Sequence, residues 1–138
     1  MSITNLEVIE YALREINVIA EGDSASPEQG TQCLKKLNAM MELLREKDID
    51  WGWYEQSATT GTCPIPDYAE LAVWKMLAIN IAPQYGASVS QELVAVASDA
   101  WKTVHRKAIA ESLDNTDMSH MPVGSGYWGN RYDINTDS

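Results

Sequence analysis

The chain has little cysteine and little histidine. Its two cysteines, Cys33 and Cys63, have no C-x-x-C spacing, so neither a disulfide framework nor a zinc site is expected, and a reducing compartment is favoured. The two histidines are His105 and His120, and neither has an identifiable partner for catalysis or metal binding. Cys33 likewise lacks a residue that would activate it. We therefore expect no catalytic residue, no metal and no cofactor.

Positive charge is also scarce. Acidic residues outnumber basic ones by 20 to 10, which gives a formal net charge of −10. Such a surface repels both DNA and anionic lipid. No signal-peptide pattern opens the sequence, and its apolar runs stop well short of the ~20 residues that span a membrane. The charge suits a protein that must stay soluble, or one whose surface should not hold DNA passing nearby, and we expect no membrane contact.

What the sequence does contain is helical periodicity. A first helix is predicted over residues 5–19 and a second from Pro27 to about Asp48. Capping signatures precede both helices, Thr4 with Glu7 and Ser26 with Gln29. The apolar stripe of the second helix is Leu34, Leu37, Met41 and Leu44.

The second half of the helical region predicts two more helices. Asp67 and Glu70 form a third capping signature, and the segment after them is apolar almost all round, which is typical of a buried helix. Pro83 should end this helix near Ala82. The short connection that follows predicts an antiparallel fourth helix beginning near Ser88 or Ser90. The expected buried stripe of that helix is Leu93, Val96, Ala100, Val104 and Ala108.

A basic cluster, Lys102, Arg106 and Lys107, lies toward the end of the fourth helix, where the helix dipole favours cations. Contact with DNA phosphate is a weaker interpretation on so acidic a chain. Half of a salt-bridged contact between subunits is a third interpretation.

Between the second and third helices, the segment IDWGWYEQSATTGTCPIP could form a short hairpin or an ordered loop. It carries Trp51, Trp53 and Tyr54, and aromatic rings in irregular segments are typical anchors for protein partners. These three residues are a possible second interface. The alternative is that the rings cover the helices of their own chain.

From about Asp114 the apolar periodicity vanishes. We predict an all-α, four-helix, antiparallel bundle-like domain over residues 1–113 and an extended C-terminal tail over 114–138. A solvated tail would normally lack aromatic residues, yet this one contains Tyr127, Trp128 and Tyr132. Fully extended, ~25 residues span ~80 Å, enough to cross a neighbouring subunit. Folding back onto the domain is the alternative.

The stretch GSGYWG in the tail matches the glycine pattern of dinucleotide-binding proteins. That pattern requires a preceding strand, a following helix and a later acidic residue, and none is predicted around Gly124 to Gly129. Glycine reaches positive φ and has no side chain to collide. We therefore expect these glycines to let an extended segment pass close to another backbone, with Tyr127 and Trp128 as its anchors.

Three segments carry a family resemblance: SHMPVGSGYWGNRYDIN in the tail, NIAPQYG at the end of the third helix, and LEVIEYALREINVIAEG near the N-terminus. The most specific elements are M-P-x-G-S-G from Met121 to Gly126 and I-A-P-x-Y from Ile81 to Tyr85. With them the chain resembles the head-to-tail adaptors of short-tailed bacteriophages, also called tail accessory factors or packaged-DNA stabilization proteins.

The resemblance implies a virion protein, made in the host cytoplasm, that forms a dodecameric ring beneath the portal at the head–tail junction. Such a ring extends the DNA channel, helps retain the packaged genome, and contacts the portal, neighbouring copies, the tail needle and the tail fibres or spikes. The family-like tail element comprises Met121, Pro122, Gly124 and Gly126. We add Tyr127, Trp128, Arg131 and Tyr132 as expected anchors to the portal or a neighbouring subunit.

Two other functions stay open. A head-completion connector of long-tailed phages also uses small helical subunits. A virion-associated glycan hydrolase would need two carboxylates facing each other across a cleft at ~5 to ~9.5 Å, and the sequence marks no particular pair.

Overall fold

A computed structural model of the chain describes residues 2–47 and 49–114, with side chains through Glu111. It contains the helices α1 (Asn5–Glu15), α2 (Pro27–Glu46), α3 (Glu70–Ile81) and α4 (Gln91–Asp114), with 3-10 turns at Asp67–Ala69 and Ala82–Tyr85. These residues form no strand, and an isolated antiparallel bridge joins Thr4 to Thr62. The predicted all-α class is confirmed.

The helix α3 is the centre of the fold, because it packs against α1, α2 and α4. α1 and α2 also touch each other, whereas α4 contacts only α3 and the 3-10 turn before it among the described elements. Tyr68, just before α3, bonds to Glu111 near the end of α4, so these two helices run antiparallel as predicted. The buried side chains come from all four helices and include Val8, Ile9, Leu13, Leu37, Met41, Val73, Leu77, Ile81 and Val104.

The N-termini of α1 and α2 match the sequence prediction. Both capping boxes form, with the hydroxyls of Thr4 and Ser26 accepting from backbone amides three residues on. All four residues of the predicted α2 stripe are buried. Since each cap satisfies amides that the helix itself cannot pair, local sequence was sufficient to fix these starts.

The end of α1 was predicted four residues too late. Asn17 adopts a left-handed conformation with φ of 60°, which no α-helix continues. The amides of Asn17 and Val18 bond back to Arg14 and Leu13 at 3.1 and 3.0 Å, the pattern that closes a helix around a left-handed residue. Ile16, Val18 and Ile19 follow the last residue of the helix, and their side chains still pack against the core.

The third helix begins with a 3-10 turn that the sequence did not predict. This turn, Asp67–Ala69, precedes α3, and the residues at the two N-cap positions, Pro66 and Ala69, make no side-chain cap hydrogen bond. The amide of Ala69 instead bonds to the carbonyl of Pro66 at 2.9 Å. α3 is also less enclosed than predicted, since Leu71 on its open side is exposed. As expected, the helix ends next to Pro83.

In α4, Val96 was predicted to be buried and is 40% exposed, while Ala97 is buried in its place. Among the described elements α4 packs against one helix, α3, so the face that it buries there is narrow. Leu93, Ala97 and Val104 form that face. Apolar spacing alone could not distinguish it from the neighbouring flank.

Residues 49–66 form an ordered loop rather than a hairpin. The predicted tail from residue 115 on lies outside the described residues, and with it all its candidate residues: Met121, Pro122, Gly124, Gly126, Tyr127, Trp128, Arg131 and Tyr132. Their proposed contacts therefore stay predictions.

Candidate interaction surfaces

The aromatic loop is fixed to the domain by a set of side-chain amides. The Nδ2 of Asn5 in α1 donates to the Oε1 of Gln56 at 2.9 Å and to the carbonyl of Ala58 at 3.0 Å. From α2, Asn38 donates to the carbonyl of Gln56 at 3.0 Å and accepts from its amide at 2.9 Å. Asn5 is fully buried and Gln56 nearly so, so the bond between their side chains is shielded from water, and the four bonds together hold the loop in one position.

This amide clamp was not predicted from the sequence. Asn5 occupies a position one helical turn before the buried residues Val8 and Ile9. A polar residue on an apolar stripe was the available signal, because a buried amide must find hydrogen-bond partners. Its partners lie 51 to 53 residues away, a distance that helical periodicity does not address.

The clamp gives the three loop aromatics different environments. Trp53 is 3% exposed and belongs to the core, and its carbonyl accepts a hydrogen bond from Arg45 of α2. Trp51 is half-buried, with its ring edge-on to Tyr68 at a centroid distance of 6.4 Å. Tyr54 is 63% exposed. Of the three, Tyr54 therefore offers the largest ring surface to a partner.

A cleft of about 540 Å³ lies beside Trp51. Its walls are Ser2, Trp51, the segment from Thr62 to Asp67, and Glu111 of α4. At its edge the Tyr68 hydroxyl donates to Glu111 at 3.0 Å, and the Lys107 ammonium lies 5.1 Å from the Tyr68 ring centroid. Burial, followed by the bond to Glu111, raises the pKa of the Tyr68 phenol. The ring of Trp51 and the carboxylates of Asp67 and Glu111 thus line the same cleft.

Both thiols are buried. Burial, with a smaller contribution from the Glu70 carboxylate, raises the pKa of Cys63 to about 12. Burial also raises the pKa of Cys33, whose Sγ lies 3.6 Å from the hydroxyl of Tyr85. Only a thiolate acts as a nucleophile or a metal ligand, and at neutral pH both groups are thiols.

Within residues 2–47 and 49–114, no three His, Cys, Asp or Glu side chains are grouped so that they could hold a metal ion. None of the helices in this part of the chain combines the length and the apolarity needed to cross a bilayer.

The outward surface of α4 carries a ridge of exposed residues at spacings of three or four, which we call the α4 ridge: Val94, Ser98, Lys102, Arg106 and Ile109. Such spacing places side chains on one side of a helix. Val94 and Ile109 are 47% and 48% exposed, so apolar groups lie at both ends of the ridge and cations at its centre. Among the described residues, neither Lys102 nor Arg106 has a carboxylate within ion-pair distance.

A second exposed surface lies on α1 and α3. Tyr11 is partly exposed and packs on Trp74 with ring centroids 4.8 Å apart. The Arg14 guanidinium lies 5.8 Å from the centroid of Tyr11 and is 3.1 Å from the Glu10 carboxylate. A second ion pair, Lys75 with Glu15 at 2.8 Å, links α3 to α1. An aromatic centre with a polar rim is the usual composition of a protein contact surface.

These features define an all-α protein that presents apolar, aromatic and charged groups on the surfaces of its helices. A family model described as the P22 tail accessory factor matches residues 1–138. The chain belongs to this family, as its tail and helical motifs indicated, and it is a structural component of the bacteriophage virion. A search of curated proteins found no match.

Proposed function

We propose that the chain assembles as a ring beneath the portal, joins the phage head to the tail, extends the DNA channel and helps retain the packaged genome. The observation that carries this proposal is the family match, which spans the whole chain. Its partners are the portal, neighbouring copies, the tail needle, and the tail fibres or spikes. The twelvefold symmetry that the resemblance implies is part of the proposal, as is the head–tail junction as its location.

The charge of the chain supports this role. With a net charge of −10, the surface repels phosphate, and DNA moves fastest through a channel whose walls do not bind it. Within the part of the chain that the structure describes, the long α4 contacts a single other helix, which leaves much of its surface for neighbouring subunits. DNA accordingly passes through the ring without specific binding.

The test is to mix the purified chain with the portal and follow assembly by sedimentation, with full-length protein and with a form truncated after Leu113. We expect the full-length chain to join the portal in a complex of fixed stoichiometry and the truncated chain to lose most of this binding. If the truncated chain assembles as well as the full-length chain, the tail is not the portal anchor. If neither binds, the proposed function is wrong.

A head-completion connector of long-tailed phages is disfavoured by the description of the matching family, which is that of a tail accessory factor. The native mass of the assembly, together with an image of the ring on its partner, distinguishes the two by symmetry.

A glycan hydrolase is a second candidate, favoured by one observation. Asp67 and Glu111 line the same cleft, together with Trp51, and retaining or inverting glycosidases use two carboxylates across a cleft. The assay is clearing of purified peptidoglycan by the full-length chain, with Glu111→Gln as the variant. Clearing that is lost in this variant would support hydrolysis, whereas no clearing by the wild-type chain would leave the cleft as a structural feature of an assembly protein.

A further inference from the structure

We infer that the α4 ridge docks on a second copy of this chain, at the acidic N-terminal surface formed by residues 7–28, and that this contact is repeated around the ring. The inference rests on the proposed ring, and it specifies which surfaces of neighbouring copies meet. It concerns the helical domain and is independent of the tail.

The first step is the concentration of positive charge on α4. From Lys102 to Lys107 the chain has three basic residues and no acidic one, in a sequence of net charge −10. Lys107 lies against the Tyr68 ring, but Lys102 and Arg106 point outward and are exposed. Unpaired cations flanked by the exposed apolar residues Val94 and Ile109 suit a partner that is acidic and partly apolar.

The second step is that the chain itself provides such a partner. From Glu7 to Glu28 there are six acidic residues and one basic residue, Arg14. Glu21 and Asp23, between α1 and α2, are exposed, and among the described residues their carboxylates have no ion-pair partner. The exposed ring of Tyr11 lies on the preceding helix, so this surface also offers an apolar group.

The third step is that the two surfaces do not pair with each other within the described residues of one chain, where neither the two cations of the ridge nor the carboxylates of Glu21 and Asp23 take part in an ion pair. α1 and α4 each pack on α3 and make no backbone contact with each other. A copy therefore carries a basic surface on α4 and an acidic surface around the connection from α1 to α2, and a second copy can bring the two together. A contact between two different surfaces of identical subunits is heterologous, and its repetition generates a ring when the rotation between neighbours closes on itself.

The experiment compares four forms of the full-length chain by sedimentation with the portal: wild type, Lys102→Glu/Arg106→Glu, Glu21→Lys/Asp23→Lys, and Lys35→Glu/Lys36→Glu. The last is a matched control, because it makes the same charge change as the first variant on an exposed part of α2. All changes are at exposed positions, and circular dichroism of each form verifies that it folds.

We expect each of the first two variants to need at least about tenfold more protein for half-maximal assembly, as is typical when complementary charges across an interface become like charges. The control should assemble like wild type. In an equal mixture of the two defective variants, every reversed ridge can meet a reversed acidic surface, so assembly should return with the two alternating.

Normal assembly of both variants would overturn the inference. So would defects that the mixture does not relieve, since the occupant would then be the portal or the tail rather than a second copy. The same sedimentation experiment also measures whether the wild-type chain binds the portal. The absence of binding would contradict the proposed function, whereas its presence with unaffected variants would contradict only the location of the contact.

Discussion

At the scale of single residues, Asn5 connects the first helix to a loop more than fifty residues away. Replacing it with alanine leaves the buried Oε1 of Gln56 without its donor, and an unpaired buried polar group costs about 1–3 kcal/mol. We expect Asn5→Ala to lower the free energy of unfolding by that amount in urea titrations. Asn80→Ala, at an exposed position of α3, is the control. Equal effects of the two changes would mean that the clamp contributes nothing.

Glu70 provides a pH-dependent test at the same scale. Burial, followed by the nearby Asp67 carboxylate, raises the pKa of Glu70 above its ordinary value of 4.5. The folded state therefore holds this proton more tightly than the unfolded state, and the contribution of Glu70 to stability falls as pH rises from about 4.5 through the raised pKa.

Glu70→Gln should accordingly raise the Tm at neutral pH, and the difference should shrink as the pH falls below 4.5. Thermal unfolding followed by circular dichroism at several pH values measures it. Glu92→Gln, in the exposed first turn of α4, controls for loss of a carboxylate near a helix N-terminus. A lower Tm for Glu70→Gln at neutral pH would contradict the assigned direction.

At the scale of elements, Asn17 determines where α1 ends. Its φ of 60° costs about 1–2 kcal/mol for most residues, while glycine adopts it freely. Asn17→Val should therefore lower the free energy of unfolding by about that amount, and Asn17→Gly should leave it nearly unchanged. Urea unfolding of the two variants checks this, with the glycine form as the matched control. If valine is tolerated as well as glycine, the helix end is set elsewhere.

The same position shows how far the sequence could predict the elements. Helix starts were predictable at Thr4 and Ser26, because their caps form within three residues. The end of α1 was not, because Ile16 and its apolar neighbours pack on the core whether or not they are helical. In α4, Val96 and Ala97 are both apolar, and only the position of α3 decides which one is buried.

For the candidate surfaces, the sequence predicted some of the residues that belong to them but not which of those residues are exposed. The sequence identified the basic cluster on α4 and the three loop aromatics. It could not assign Trp53 to the core and Tyr54 to the surface, since that division depends on the clamp formed by Asn5 and Asn38. Contacts between distant segments of the chain leave no local periodic pattern.

At the scale of the whole molecule, changes in the predicted tail can distinguish a role in assembly from a role in stability. If Trp128 and Tyr132 anchor the chain to the portal or a neighbour, Trp128→Ala/Tyr132→Ala should weaken assembly by about tenfold or more, as loss of aromatic anchors commonly does, and leave the free energy of unfolding unchanged. Sedimentation with the portal and urea unfolding provide the two readouts. Loss of stability with normal assembly would instead indicate that the tail folds back on its own domain.

In the aromatic loop, two adjacent residues, Trp53 and Tyr54, allow a role in stability to be distinguished from a role in assembly. Trp53 is buried, so Trp53→Ala should lower the free energy of unfolding by about 3–5 kcal/mol, as removal of a buried large ring does. Tyr54 is largely exposed, so Tyr54→Ala should leave stability within about 0.5 kcal/mol of wild type and, if the loop is a second interface, weaken assembly. Urea unfolding and sedimentation with the portal measure both. Normal assembly of Tyr54→Ala would mean that the loop serves only to cover its own helices, because Tyr54 is the ring that it presents most openly to a partner.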